Sequence, residues 1–297
     1  MDSLPEPYLV IAAATANHPS PTRRYIPQCA DLAAGRGPAL MGVINVTPDS
    51  FSDGGDAATT SQALGRAHAL IAEGADIVDI GGESTRPGAD EIDAQTEVAR
   101  VLPVIARLRA ADSKIAISID SYKASVAEAA LNAGADIIND VWTLRRDPDL
   151  ARVASDHGAP IILSHWDPDR DRTKDVVGEV AAFLSHSVEI ALSAGVRQDV
   201  IILDPGLGFA KDPAENYVLL DRLGDLKALG FPILIGASRK SFIGRATGRE
   251  APKARLAGTL AYHSMAALNG ADILRAHDIA PHCDALAVLC AAKTGTV

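Results

Sequence analysis

Short apolar runs recur along the chain at nearly regular intervals. They read ALMGVINV (39–46), ADIVDIGG (75–82), KIAISID (114–120), ADIINDV (135–141), APIILSH (159–165), DVIILDPG (199–206), FPILIGAS (231–238) and ADILRAHD (271–278). Each is almost continuous in Val, Ile and Leu, the pattern of a strand covered on both faces in a parallel sheet. Between them lie Ala-rich stretches with helical spacing, such as SQALGRAHALIAEGA, SYKASVAEAALNAGA and RLAGTLAYHSMAALNGA. Each closes on Gly-Ala just before the next run, as expected of a helix ended by glycine.

The repeating unit is strand, helix, glycine, strand. Eight such units over about 250 residues are what a closed (β/α)8 barrel requires, and right-handed crossovers favour closure. An open doubly wound sheet is the rival, but no Gly-rich dinucleotide fingerprint follows the first run. We therefore expect an α/β chain with one (β/α)8 TIM barrel domain over residues 39–297. A short extension or hairpin, residues 1–38, would cover the barrel's N-terminal end.

Composition narrows the function. A hydrophobic content of 47% with 22% charged residues describes a globular chain able to bury a large core. The formal net charge of −10 repels phosphate backbones, so nucleic acid is not an expected partner and any anionic ligand needs a local basic pocket. Cys29, Cys283 and Cys290 are too few and too scattered for a disulfide framework or a zinc site. The N-terminal apolar run lacks a basic leader, and no stretch reads as apolar enough to span a bilayer, so no membrane partner is expected and a cytoplasmic location is.

In a barrel, reacting groups gather where the strands end and the βα loops converge. The first run ends at Asn45, the second at GGESTRPG (81–88), the third at Asp120 and the fourth at Asn139 and Asp140. The remaining four end at His165, at Asp204, at Ser238, Arg239 and Lys240, and at Arg275, His277 and Asp278. Any one of these could be a helix cap. Asp140 and Asp278 read equally as caps or surface groups, and His165 as a satisfied core histidine.

Taken together, Asp120, Asn139 and Asp204 offer acceptors for a flat heterocycle with an amidine-like N–H edge, because a carboxylate accepts two parallel N–H bonds. Lys240, Arg275, His277 and Arg86 offer cationic donors for an anionic group. No metal cage, nucleophile elbow or Cys/His pair is evident. A Mg²⁺ ion carried in by a diphosphate is compatible with the pattern.

The motifs MGVINVTPDSFSDGG (41–55), GGESTRPGAD (81–90), SID, IIND, LDPGLGFAK, GASRKSFIG and RAHD occur in an order that resembles dihydropteroate synthase from about Leu40 to Asp278. The resemblance implies a transferase of folate biosynthesis. It would join 6-hydroxymethyl-7,8-dihydropterin diphosphate to 4-aminobenzoate, releasing diphosphate and forming 7,8-dihydropteroate.

The resemblance also implies site roles. Asp120, Asn139, Asp204 and Lys240 would bind the pterin. Asn45 would coordinate Mg²⁺ on the diphosphate, and Arg275 and His277 would grip that leaving group with Thr85. Phe51, Thr85, Arg86, Pro87, Phe209, Ser238 and Lys240 would form the aminobenzoate pocket, for which sulfonamides, as mimics of 4-aminobenzoate, would compete. Lys240, Arg275, His277 and Asp204 are thus the expected catalytic set. The segments at 47–55 and 83–90 read as loops that close over bound diphosphate.

One departure stands out: Ser164-His165-Trp166 occupies a position where family members often carry Met-His-Met. A methyltransferase barrel acting on a methylated folate would share the pterin contacts but not the two loops. A non-catalytic relative would lack Asn45, Thr85, Lys240 or Arg275, and all four are present. The resemblance further implies a homodimer, for which Tyr262, Met265 and Leu268 offer a second apolar helix face.

Overall fold

The computed structural model describes residues 29–47, 55–84, 90–112 and 114–296. Strands and helices alternate: β1 (Ala39–Asn45), α1 (Gly55–Ala72), β2 (Ile77–Gly81), α2 (Ala94–Ala111), β3 (Ala116–Asp120), α3 (Ala124–Asn132), β4 (Ile137–Asp140), α4 (Asp149–His157), β5 (Ile161–Ser164) and α5 (Val176–Ser193). The second half continues with β6 (Ile201–Asp204), α6 (Pro213–Asp221), α7 (Leu223–Lys227), β7 (Leu234–Ile235), α8 (Ser241–Thr247), α9 (Leu256–Leu268), β8 (Ile273–Ala276) and α10 (Ile279–Thr294). All eight strands are parallel and pair in the order β6-β5-β4-β3-β2-β1-β8-β7. A parallel bridge between Leu203 and Ile233 brings β6 against β7, so the sheet closes into the expected (β/α)8 barrel.

The glycine punctuation has a physical cause. Gly74, Gly134 and Gly270 follow α1, α3 and α9 with φ of 104°, 111° and 100°, a left-handed backbone that a side chain resists. Each is followed by Ala-Asp-Ile, and the aspartates repeat one task at the barrel's N-terminal end. Asp76, Asp136 and Asp272 accept the backbone N–H groups of Leu40, Ile117 and Ile233, each bond 2.8 Å long. The repeated GADI thus ties neighbouring strands where the sheet begins. Residues 29–38 turn beside this end: Asp31 bridges Arg36, and the Ala30 N–H donates to Asp272.

Alternation along the strands separates two cores, since successive side chains point to opposite faces. Leu40, Val78, Ile119, Ile138, Leu163 and Leu203 face outward and pack with the helices. Met41, Ile77, Ile137, Ile162, Ile202 and Ile273 face inward and plug the barrel. Two residues further along six of the eight inward rows the chemistry changes to Asp79, Ser118, Asn139, Ser164, Asp204 and Arg275. The barrel is therefore apolar below and polar at its mouth.

Two sequence expectations need correction. Tyr262 belongs to the core, not to a second face: it is 3% exposed and its hydroxyl donates to the Asn216 carbonyl at 2.7 Å, whereas Met265 and Leu268 are exposed. Among the described residues α5 is long and apolar enough to cross a membrane by length and composition. It lies in the barrel's helical layer, burying Val177, Val180, Leu184 and Ala191.

Candidate active site

Arg275 organises the mouth. Its Nε donates to Asp79 Oδ2 at 2.6 Å and its Nη2 to Asp120 Oδ2 at 2.7 Å, so one guanidinium from β8 bridges β2 and β3. Burial opposes the charge, but the two carboxylates hold the Arg275 pKa above its ordinary value. Asn139 Nδ2 also donates to Asp79 Oδ2, at 3.1 Å. Burial raises the Asp120 carboxyl, and repulsion from Asp79 adds to this, outweighing the opposing pull of Arg275.

Three buried oxygens in this layer, Asp79 Oδ1, Ser118 Oγ and Asp120 Oδ1, have no hydrogen-bond partner among the described residues. Buried acceptors without donors are costly, and they mark where a ligand's N–H groups would be bound most strongly. Sequence reasoning missed Asp79. Its only signal is a carboxylate two residues after Ile77, on the inward row of an otherwise apolar strand.

The opposite side is built by the segment after β6. Asp204 Oδ1 accepts the Gly206 N–H at 2.7 Å, and its Oδ2 accepts from Ser164 Oγ at 3.3 Å. Gly206 has φ of 65°, and a Cβ there would lie 1.9 Å from the His165 carbonyl oxygen, so only glycine fits. Burial raises the Asp204 carboxyl, with Lys240 opposing. Lys240 precedes α8, donates to the Leu207 carbonyl and lies 4.4 Å from the Phe209 ring centroid. Burial pushes its ammonium down to about 8, against the attraction of Asp204.

His277 differs from the cationic donor expected from sequence. Burial, with Arg239 and Arg275 nearby, lowers it to about 4, so the ring is neutral at pH 7. Ser238 Oγ accepts the His277 backbone N–H at 3.1 Å and lies 3.0 Å from Nδ1. The neutral ring carries its proton on one nitrogen: if the serine hydroxyl donates to Nδ1, that proton sits on Nε2, and if Nδ1–H donates to the serine, Nε2 is an acceptor. Arg239, next to Lys240 in sequence, pairs instead with Asp278 at 2.5 and 3.0 Å, a structural role.

The remaining ambiguous residues resolve as structural. Asp140 accepts the N–H groups of Trp142 at 2.9 Å and Leu144 at 2.6 Å, and burial raises its carboxyl to about 6. His165 is buried, lowered to about 3 by burial and then by Lys211, whose Nζ lies 2.9 Å from Nδ1. Asn45 stands half-buried at the end of β1. Phe51, Thr85, Arg86 and Pro87 lie outside the described residues. The structure therefore brings Asp120, Asn139, Asp204, Ser238, Lys240, Arg275 and His277 to one end of one barrel, with Asn45 and Phe209 at its strand ends and loops.

A family model described as pterin binding enzyme matches residues 41–277. The dihydropteroate synthase of Bacillus subtilis is 46% identical over 240 residues, which span 81% of this chain and 83% of that protein. A solved structure of Xanthomonas albilineans dihydropteroate synthase with 4-aminobenzoic acid superposes with a TM-score of 0.83 at 46% identity, covering 86% of this chain and 93% of that one. The same organism's enzyme in complex with 7,8-dihydropteroate gives a TM-score of 0.80 at 43% identity, covering 86% and 94%. This chain belongs to the pterin-binding enzyme family, among its dihydropteroate synthases.

Proposed function

We propose that the chain condenses 6-hydroxymethyl-7,8-dihydropterin diphosphate with 4-aminobenzoate, giving 7,8-dihydropteroate and diphosphate. The observation that carries the residue assignment is the juxtaposition of unpartnered buried acceptors with cationic and neutral donors at one barrel mouth. Asp120, Asn139 and Asp204 would take the N–H edge of the pterin, and Lys240 its carbonyl side. Arg275 and His277 would bind the diphosphate, and Phe209 and Ser238 the aminobenzoate.

The C–O bond to diphosphate breaks with its electron pair going to the leaving oxygen. The pterin methylene becomes cationic, the neutral aryl amine forms the new C–N bond, and the nitrogen then releases a proton. No protein nucleophile is needed. What these residues supply is stabilisation of charge on the leaving group and placement of the amine against the methylene.

No group of three or more His, Cys, Asp or Glu side chains suited to a metal occurs among the described residues. Asn45, half-buried at the end of β1, offers a single amide oxygen, which fits a Mg²⁺ ion that brings most of its ligands as phosphate oxygens and water. Asn45 would hold it, and the ion would neutralise developing diphosphate charge.

Exposed Met265 and Leu268 on α9 and Val288 on α10 support a homodimer, which light scattering would report as twice 30.9 kDa. We further read residues 39–297 as the single catalytic domain and the location as cytoplasmic. The site assignment is tested by Lys240→Ala and Arg275→Ala, each expected to lower kcat/KM by about 10²–10³ with the fold retained. Normal turnover in either variant contradicts the assignment.

A further inference from the structure

We propose that Arg146, Trp142 and Trp166 form a stacked bridge that positions Phe209 in the wall of the aminobenzoate pocket. This rests on the reading of that wall given above. The column runs across the loops that follow β4, β5 and β6. The Arg146 guanidinium carbon lies 3.8 Å from the Trp142 ring centroid, and Trp142 stacks on Trp166 at 3.7 Å with 20° between planes. Trp166 stacks on Phe209 at 4.7 Å and 27°, and the Lys240 ammonium lies 4.4 Å from the Phe209 centroid. A cation thus stands at each end of three stacked ring systems, and stacked pairs and cation–π contacts are individually worth about 0.5–1.5 kcal/mol.

The backbone is set up to aim this column. Thr143 and Leu144 have φ of 54° and 61°, two consecutive non-glycine residues in the left-handed region, and both are buried. Such conformations persist only where surroundings enforce them. Here Asp140 takes the Trp142 and Leu144 N–H groups, and Thr143 Oγ1 donates to the Ser164 carbonyl. The consequence of that strained turn is the orientation of the Trp142 ring. At the other end, Lys211 Nζ donates to the carbonyls of Gly206 at 3.0 Å and Phe209 at 3.1 Å, pinning the Phe209 segment.

The outer end is anchored too. Arg146 pairs with Glu91 and lies 5.2 Å from the Tyr122 ring, whose hydroxyl donates to Glu83 at 3.3 Å. Glu83 is itself held by Lys123, which also donates to Glu97 at 2.6 Å. Trp142, Trp166, Phe209 and Lys240 are all half-buried, with part of each ring or stem open. Ordinary core packing would not need a strained turn, nor a cation at each end.

The chain contains only two tryptophans, and both lie in this column. The test uses the full chain, with both substrates varied at saturating Mg²⁺, and far-ultraviolet circular dichroism. Wild type is expected to show an exciton couplet from the indole pair, lost in Trp166→Leu and Trp142→Leu. Trp166→Leu is expected to raise KM for 4-aminobenzoate roughly tenfold, leaving KM for the pterin diphosphate within about twofold. Trp166→Phe, which keeps a stacking face, should recover most of the loss.

Absence of the couplet in wild type overturns the bridge. So does a folded Trp166→Leu variant with unchanged KM for 4-aminobenzoate, or an equal rise in both KM values without rescue by phenylalanine. If Trp166→Leu does not fold, Arg146→Met at the exposed end decides: a two- to threefold selective rise, about the worth of one cation–π contact, supports the bridge, and no change overturns it. A wild type without turnover overturns the proposed function instead, and the bridge's role with it.

Discussion

Asp79 offers the sharpest test of how the mouth is held together. It is fully buried on β2, and its Oδ2 accepts from Arg275 Nε at 2.6 Å and Asn139 Nδ2 at 3.1 Å. Asp79→Ala leaves the guanidinium with Asp120 alone and the Asn139 amide without that acceptor. Breaking a buried ion pair by removing one partner costs about 3–5 kcal/mol. Arg275 keeps its second carboxylate and is 24% exposed, so the lower end, about 3 kcal/mol, is the expected loss. For a chain of this size that corresponds to a fall in Tm of roughly 6–12 °C.

Asp79→Asn keeps the shape and one acceptor oxygen, and should lose about half as much stability. Turnover separates the roles further. If Asp79 acts by fixing Arg275 toward the diphosphate, kcat falls in both variants while KM for 4-aminobenzoate stays near wild type. Calorimetry with steady-state kinetics reads both effects. A Tm within about 1 °C of wild type for Asp79→Ala, with unchanged kcat, would refute the reasoning.

Four further outcomes are expected. Gly206→Ala places a Cβ 1.9 Å from the His165 carbonyl oxygen and should prevent accumulation of folded protein, or lower stability by more than about 4 kcal/mol in a melt. Lys240 carries its proton below about 8 and loses it above, so kcat/KM should fall as pH rises through 8. His277, already neutral with its pKa near 4, should show no titration of its own ring signals by NMR between pH 5 and 7, and a ring midpoint near 6.5 would contradict its assignment as a neutral group. Arg239→Ala breaks a half-buried pair with Asp278 and should cost about 2 kcal/mol in denaturant while leaving kcat per folded molecule close to wild type.

Much of this architecture is legible in the linear chain. The eight apolar runs contain the eight strands, because strands covered on both faces must be apolar outside the mouth, and the terminal glycines mark the helix ends through their positive φ. The run at 231–238 overstates β7, which spans only Leu234–Ile235 beside the isolated bridge at Ile233; the residues after it carry Ser238 and Lys240. The strand-end positions point to Asp120, Asn139, Asp204 and Arg275, because position along a βα unit fixes height in the barrel.

What the chain hides depends on contacts distant in sequence. Asp79 looks like an isolated charge until Arg275, nearly two hundred residues away, is brought to it. The neutrality of His277 comes from burial beside two arginines, and residue type alone suggests a cation. Ser164 and Trp166 read only as departures from a pattern. Their partners, Asp204 for the serine and Trp142 and Phe209 for the indole, become visible once three loops converge.

The most direct test is diphosphate release by the purified chain given the pterin diphosphate, 4-aminobenzoate and Mg²⁺, with each omitted in turn. The account predicts release that depends on all three, with 7,8-dihydropteroate formed in equal amount. Tight pterin binding without release, or release unaffected by 4-aminobenzoate, would contradict it.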